Sequence, residues 1–166
     1  LRMRYAVQPG LYALGNPDRD SDVFVSANYK LSFDILRRSL KGLNAWVLVL
    51  DTKGINVWCA AGKGTFGTDE LIKRATETQL AKVVNHRRII VPQLGAPGVA
   101  AHTVQQKTGF KVYYGPVDAL DIRRYVEGGY KATDEMRRVK FTMRDRLVLT
   151  PMEMIPALIR YAIYAA

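Results

Sequence analysis

The side chains most able to do chemistry sit in one segment, Asn56-Val57-Trp58-Cys59-Ala60-Ala61-Gly62-Lys63-Gly64-Thr65-Phe66-Gly67-Thr68. Cys59 is the only cysteine among 166 residues. A free cysteine most often acts as a small buried hydrophobe. Here it follows an apolar run, in a loop or first helical turn, with Lys63 four positions on. That setting suits a reactive thiol, and a thiolate is a soft metal ligand. Ala60, Ala61, Gly62 and Gly64 carry almost no side-chain volume, so a large flat cofactor can lie against them.

Other chemistry fits the same segment less well. Gly62-Lys63 suggests a phosphate loop, but Val57 stands where that loop needs glycine and Gly64 where it needs Ser or Thr. Gly62-Lys63-Gly64-Thr65-Phe66-Gly67 matches the letters of a dinucleotide fingerprint, yet Cys59-Ala60-Ala61 separates it from the preceding strand. His86 and His102 are the only histidines. His102 reads as a structural or surface residue on a helix, and His86 as a solvated helix-end residue.

Alternating strand and helix signals position the segment. Residues 1–27 read as irregular, with a turn at Gly15-Asn16-Pro17-Asp18 and a short strand at Val23-Phe24-Val25. Residues 28–41 read as a helix with Leu31, Ile35 and Leu36 as its apolar stripe and Arg37, Arg38 and Lys41 near its C-terminal end. Ala45 to Leu50 is a continuous apolar run, as in a strand buried on both faces. Ile55 to Trp58 suggests a further short strand. Residues 68–84 form the clearest helix, with Thr68 as N-cap and Asp69 and Glu70 in the first turn. Arg88 to Val91 reads as strand, 98–108 as helix closed by Gly109, Phe110 to Tyr113 as strand, 118–127 as helix, and Val139 to Thr142 as a last strand. This pattern predicts an α/β, Rossmann-like domain with a mostly parallel sheet flanked by helices. Ligands bind beyond the carboxyl ends of such strands. Asp51 to Thr68, Pro92 to Gly98 and Tyr114 to Asp118 occupy those ends.

Composition narrows the classes. Apolar residues make up 48% of the chain, enough for a real core, and the formal net charge is +10. The charge points to an anionic partner: nucleic acid, a membrane face or a phosphate-bearing ligand. One cysteine excludes an internal disulfide, a CxxC redox pair, an iron–sulfur cluster and a four-cysteine zinc site. No signal peptide or membrane-spanning stretch is visible. The chain begins at Leu1 and ends in Tyr161-Ala162-Ile163-Tyr164-Ala165-Ala166, as an excised piece of a longer protein would. Residues 1–147 read as the α/β domain and 148–166 as a tail, either the approach to a membrane segment or a closing amphipathic helix. The Arg137, Arg138, Lys140, Arg144, Arg146 cluster reads as a solvated or membrane-facing surface, with no nucleic-acid motif beside it.

Asn56 to Lys63, NVWCAAGK, resembles the cap-helix signature of the corrinoid protein of microbial mercury methylation. Ala27 to Asp34, Leu50-Asp51-Thr52, Pro92 to Val99, and Gly109 to Val112 followed by Gly115-Pro116-Val117 are similar to that family as well. More loosely, the same stretches resemble the corrinoid-binding domain of the corrinoid iron–sulfur protein large subunit. The resemblance covers residues from about 10 to 155. It implies a Rossmann-like domain with a cap helix over a cobalamin-type corrinoid, held base-off, with Cys59 as lower axial ligand to cobalt. Neither His86 nor His102 fits the Asp-x-His-x-x-Gly motif of histidine-ligated corrinoid proteins. Asn56, Val57, Trp58, Ala60, Ala61, Gly62, Lys63 and Thr65 would contact the cofactor. Gly95, Ala96, Pro97, Gly98, Gly115 and Pro116 would line the pocket for its nucleotide tail. Ordinary packing, capping and turn roles are the competing readings for each.

The resemblance implies an enzyme, a corrinoid-dependent methyltransferase acting on mercury(II). A thiolate opposite the methyl group favours delivery with its electrons and leaves oxidised cobalt, whereas transfer as a cation leaves Co(I), which prefers few axial ligands. Renewed methylation then requires a ferredoxin-like iron–sulfur reductant and a methylated folate-type donor or its methyltransferase. Family members continue into a membrane domain, which implies the cytoplasmic face of a membrane. A second reading is a methyl-carrier corrinoid protein of the acetyl-CoA pathway type. A third, of another class, is a membrane-associated nucleotide-binding regulatory module.

Overall fold

A computed structural model describes residues 6–140. Five strands form one sheet in the order β1-β3-β2-β4-β5. They are β1 (Gly10–Leu14), β2 (Asp22–Ala27), β3 (Ala45–Leu50), β4 (Arg88–Val91) and β5 (Lys111–Tyr114). β1 is an antiparallel edge strand, with Gly10 opposite Val49, and the remaining pairings are parallel. The expected α/β, Rossmann-like architecture with a mostly parallel sheet is what the chain adopts. The helices are α1 (Lys30–Ser39), α2 (Val57–Gly62), α3 (Thr68–Glu77), α4 (Leu80–Val83), α5 (Ala101–Thr108) and α6 (Ile122–Glu127).

Side-chain alternation along the strands creates two cores. Val23, Val25 and Ala27 of β2, Leu48 and Leu50 of β3, and Ile89 and Val91 of β4 face Leu71 and Ala75 of α3, Leu80 of α4 and Val104 of α5. Phe24, Val47, Val49 and Ile90 face the other way, onto Phe33 and Leu36 of α1 and Ile122 and Tyr125 of α6. Helices therefore cover both faces, and the parallel strands between them carry near-continuous apolar sequence.

Several local expectations are corrected. Residues 10–14 form a strand rather than irregular chain, and β2 spans Asp22–Ala27, not 23–25 alone. Ile55 to Trp58 is no strand: α2 starts at Val57. The 68–84 helix breaks at Gln79, whose φ of 51° is left-handed, into α3 and α4. Gly67 is the N-cap of α3, while Thr68 Oγ1 accepts the Ala100 N–H at 2.9 Å. In α1, Leu31 and Ile35 are exposed, and Phe33 and Leu36 fill the core instead. α5 does end at Gly109, in the left-handed conformation with φ 79°. Val139 and Lys140 are not in a strand. The rest of that expected strand, the 148–166 tail, and Arg144 and Arg146 lie outside the described residues. Among the described residues, no helix is long and apolar enough to cross a membrane.

The amino edge of the sheet is closed by a polar knot. Tyr130 donates its hydroxyl to Asp22 at 2.8 Å, and the Arg88 guanidinium lies 4.8 Å from the Tyr130 ring centre. Tyr125 beside it is fully buried, and its hydroxyl has no hydrogen-bond partner among the described residues. Burial, reinforced by Tyr113, Tyr130 and Asp22, pushes the Tyr125 phenol up to about 12. A phenol made a weaker acid by folding contributes stability that is whole below pH ~10 and is lost as pH climbs through the folded value. Tyr125→Phe is expected to raise stability by about 1 kcal/mol at pH ~7, because it removes an unpaired buried hydroxyl. The advantage widens at pH ~11, where the phenol of the unfolded wild-type chain ionises while the folded one stays protonated. Urea denaturation at the two pH values checks both statements.

Candidate functional site

Strand order places the site. After β2 the chain turns into α1 on one face of the sheet; after the adjacent β4 it turns into α5 on the other. The connections part above this pair, which opens a crevice at the carboxyl edge. A cleft of about 460 Å³ lies there. Ser26 closes its base, Ser32, Ile35 and Leu36 of α1 form one wall, and Asn56, Val57 and Trp58 form the cap side. Pro92 and Leu94 follow β4, and Gly115 to Ala119 follow β5. Among the described residues, Asp118 is the only ionisable side chain that lines the cleft, and none of their lysines or arginines does.

The cap helix α2 is built by its flanks. Asn56 caps it, with Oδ1 accepting the Cys59 N–H at 2.9 Å. Val57, Ala60 and Ala61, at i, i+3 and i+4, form its buried face. Trp58, Cys59, Gly62 and Lys63 remain outside, with Trp58 69% exposed. Past Gly64, the Thr65 and Phe66 N–H groups both return to the Ala60 carbonyl, at 2.9 and 3.1 Å. Phe66 is fully buried against the 93–98 segment, a 3₁₀ turn.

The expected site residues thus divide. Asn56, Val57, Trp58, Gly115 and Pro116 line one cleft; Cys59, on the exposed side of the same helix, is not among its lining residues. Ala60 and Ala61 point into the core, so they offer no flat surface to a cofactor. Gly95, Ala96, Pro97 and Gly98 do not line the cleft. The two glycines serve packing: a Cβ on Gly95 collides with the Phe66 ring, and one on Gly98 with the Phe66 carbonyl oxygen. Thr65 Oγ1 lies 3.4 Å from the Ala60 carbonyl oxygen, a helix-closing contact. His86 sits at the opposite edge of the sheet, with Nε2 2.6 Å from the Ser21 carbonyl oxygen and Nδ1 accepting the Arg88 N–H. It is a half-buried structural residue, not the solvated one expected.

Sequence reading misses Ser26 and Ile35 as cleft residues, and places Leu94 and Asp118 at the ligand end only as members of the 92–98 and 114–118 segments. A signal existed in α1, where Phe33 and Leu36 suffice for the core and leave Leu31 and Ile35 without a packing role. At the end of β3, the Lys53 N–H holds the Asp51 carboxyl below the usual carboxylate range. The Asp51 N–H meets Glu70 at 2.9 Å, which Arg74 pairs at 2.7 Å.

The site has room for a broad ligand. A Cβ built on Gly62, near the Cys59 thiol, meets nothing within 4 Å, and the same holds at Gly64. Among the described residues, no three His, Cys, Asp or Glu side chains gather as a metal site. Among the described residues, the arrangement therefore offers one exposed soft donor, Cys59, on the helix whose first turn lines an apolar slot.

Comparison with known proteins identifies the frame. Residues 2–126 match the family model for the CO dehydrogenase/acetyl-CoA synthase delta subunit. The acetyl-CoA decarbonylase/synthase complex subunit gamma of Archaeoglobus fulgidus is 33% identical over 123 residues, 73% of this chain and 26% of the relative. The corresponding Methanocaldococcus jannaschii subunit is 31% identical over 131 residues, 78% of this chain and 26% of the relative. Subunit gamma 1 of Methanosarcina thermophila is 33% identical over 131 residues, covering 76% and 27%. The chain spans about a quarter of the length of these relatives.

These matches correct the expected kinship with the mercury-methylation protein, and mercury(II) is dropped as the substrate. They fit the acetyl-CoA pathway reading better. The physical reason is visible in the residues that carried the resemblance: Asn56 caps, Ala60 and Ala61 pack, and Gly95 and Gly98 clear space for Phe66. Such residues build a frame, and a frame does not name the methyl acceptor. By the match that spans most of its length, the chain belongs to the CO dehydrogenase/acetyl-CoA synthase delta subunit family.

Proposed function

We propose that this domain binds a cobalamin-type corrinoid across the carboxyl edge of the sheet and serves as the methyl carrier of an acetyl-CoA-forming or acetyl-CoA-cleaving complex. The supporting observation is a free, exposed thiol, Cys59, on the open side of α2 and next in sequence to Asn56, Val57 and Trp58, which line an apolar cleft. Bound there, a corrinoid supplies a cobalt that takes up a methyl group and gives it up again.

In this reading Cys59 would hold the cobalt, as a soft thiolate donor suited to the oxidised, methyl-bearing metal, and would release it in the Co(I) state, which prefers few ligands. The cofactor's base, if displaced, would find room in the cleft between Ser32, Ile35 and Pro116, whose uncharged side chains suit a neutral heteroaromatic ring. Its phosphate would stay outside, since no lysine or arginine among the described residues lines the cleft. Trp58 covers the corrin edge, and Lys63 stands one turn beyond the thiol on the same exposed side. The 166 residues hold one cysteine, here committed to cobalt, so in this reading electrons would come from an iron–sulfur group outside them, carried by a ferredoxin-like partner. The methyl group comes from a methylated folate-type donor or its methyltransferase.

The test is a titration with cobalamin followed by absorption. The expected result is saturable binding and a cobalt–sulfur charge-transfer band. Absence of binding, or a bound spectrum identical to that of water-ligated base-off cobalamin, overturns the reading.

A further inference from the structure

We infer that Asn28 is the positioning residue of the cap helix: its buried amide ties the end of β2 to the turn that launches α2, and so decides where Cys59 stands. The clamp itself is independent of what the site binds; its consequence for a cobalt ligand rests on the corrinoid reading above.

Asn28 is only 5% exposed. Its Oδ1 accepts the backbone N–H of Thr52 at 3.0 Å and of Gly54 at 2.9 Å. Its Nδ2 faces Asp51 Oδ1 at 3.5 Å. The Thr52 hydroxyl, fully buried, lies 2.9 Å from the same Oδ1 and 2.7 Å from the Ile55 carbonyl oxygen, so one proton is shared between two acceptors. The turn this holds is costly by itself, since Lys53 has φ 58°, left-handed for a residue with a side chain. Such a turn persists only when its surroundings over-determine it. Ile55 follows, then the capping Asn56, then α2. Thus a buried side chain just past the end of β2 fixes the chain between β3 and the cap.

The site demands asparagine in particular. It needs an acceptor toward two N–H groups and a donor toward a carboxylate on one planar group. Aspartate keeps the acceptor but sets a second carboxylate against Asp51. Leucine, of similar size, keeps neither.

The experiment compares wild type, Asn28→Leu and Asn28→Asp, with thermal melts to establish the folded range. Amide hydrogen exchange is read without any cofactor. Asn28→Leu is expected to speed exchange about tenfold or more at Thr52, Gly54, Cys59 and Ala60, with β4 and β5 unchanged. Asn28→Asp behaves likewise at about pH 8 and returns toward wild type near pH 5, where a proton on either carboxyl restores the missing donor. Lys53 from the turn and Glu70 and Arg74 from α3 are the charged groups around this pair, and wild type measured at each pH accounts for them. Unchanged exchange at these amides, or faster exchange spread evenly over the sheet, overturns the clamp. The same proteins loaded with cobalamin report the consequence. Loss of the cobalt–sulfur band in the variants supports it, and a band retained at wild-type strength overturns it. A wild type that shows no band while the local exchange pattern holds overturns the corrinoid reading and leaves the clamp standing.

Discussion

Cys59→Ala is expected to abolish the cobalt–sulfur band and weaken corrinoid binding by at least ~10–100-fold, while leaving unfolding free energy within ~0.5 kcal/mol of wild type. The separation follows from where the atoms sit. The Cys59 backbone N–H carries the capping bond from Asn56, and alanine keeps it. The thiol itself is exposed and free. Removing it leaves no cavity and no unpaired partner, the two usual sources of a large stability loss. No histidine takes its place. Both ring nitrogens of His86 are engaged at the amino edge, and His102 is exposed on α5. Residual binding in the variant measures what the cleft contributes alone. Absorption spectra and binding isotherms of the two proteins, with matched melts, check the claim. A variant that binds and absorbs as wild type does would remove the cysteine from the site.

What could be read from sequence, and what could not, follows from which interactions decide each element. β3 and β4 are legible to the residue because burial on both faces leaves uninterrupted apolar runs. β1 is not, because an edge strand opening with Gly10 and only partly buried lacks that signal. Ile55 and Val57 alternate as a strand would, but the Asn56 side chain between them caps a helix, and capping wins over a two-residue alternation. The break at Gln79 has no local signature, since it is a glutamine in a left-handed conformation. At the site, the reactive element was visible as a motif, but its inward and outward faces were not separated. The spacing of Val57, Ala60 and Ala61 held that information, as one buried helical stripe that turns Cys59 outward. Asn28 and Thr52 were quoted only within matching stretches, because a hydrogen-bonded clamp between two strand ends depends on the sheet that brings them together.

Gly98→Ala is expected to do the reverse of Cys59→Ala, costing about 3 kcal/mol of stability and disturbing the thiol it never touches. A Cβ on Gly98 runs into the Phe66 carbonyl oxygen and approaches the Ala61 backbone. That obstacle is main chain, so no rotamer change relieves it. The 65–67 segment must move, and this segment hangs from the Ala60 carbonyl through the Thr65 and Phe66 N–H groups. Displacement therefore passes to Ala60, the immediate neighbour of Cys59, and the cobalt–sulfur band weakens in step with the melting temperature. Gly62→Ala is the control, because the added methyl group meets nothing within 4 Å and alanine is the better helix former. It should leave the unfolding midpoint of the cofactor-free protein unchanged or raised. Urea denaturation of both variants decides the matter: a Gly98→Ala protein as stable as wild type would mean that the 93–98 turn and the cap do not bear on each other, and that α2 is held by its own caps alone.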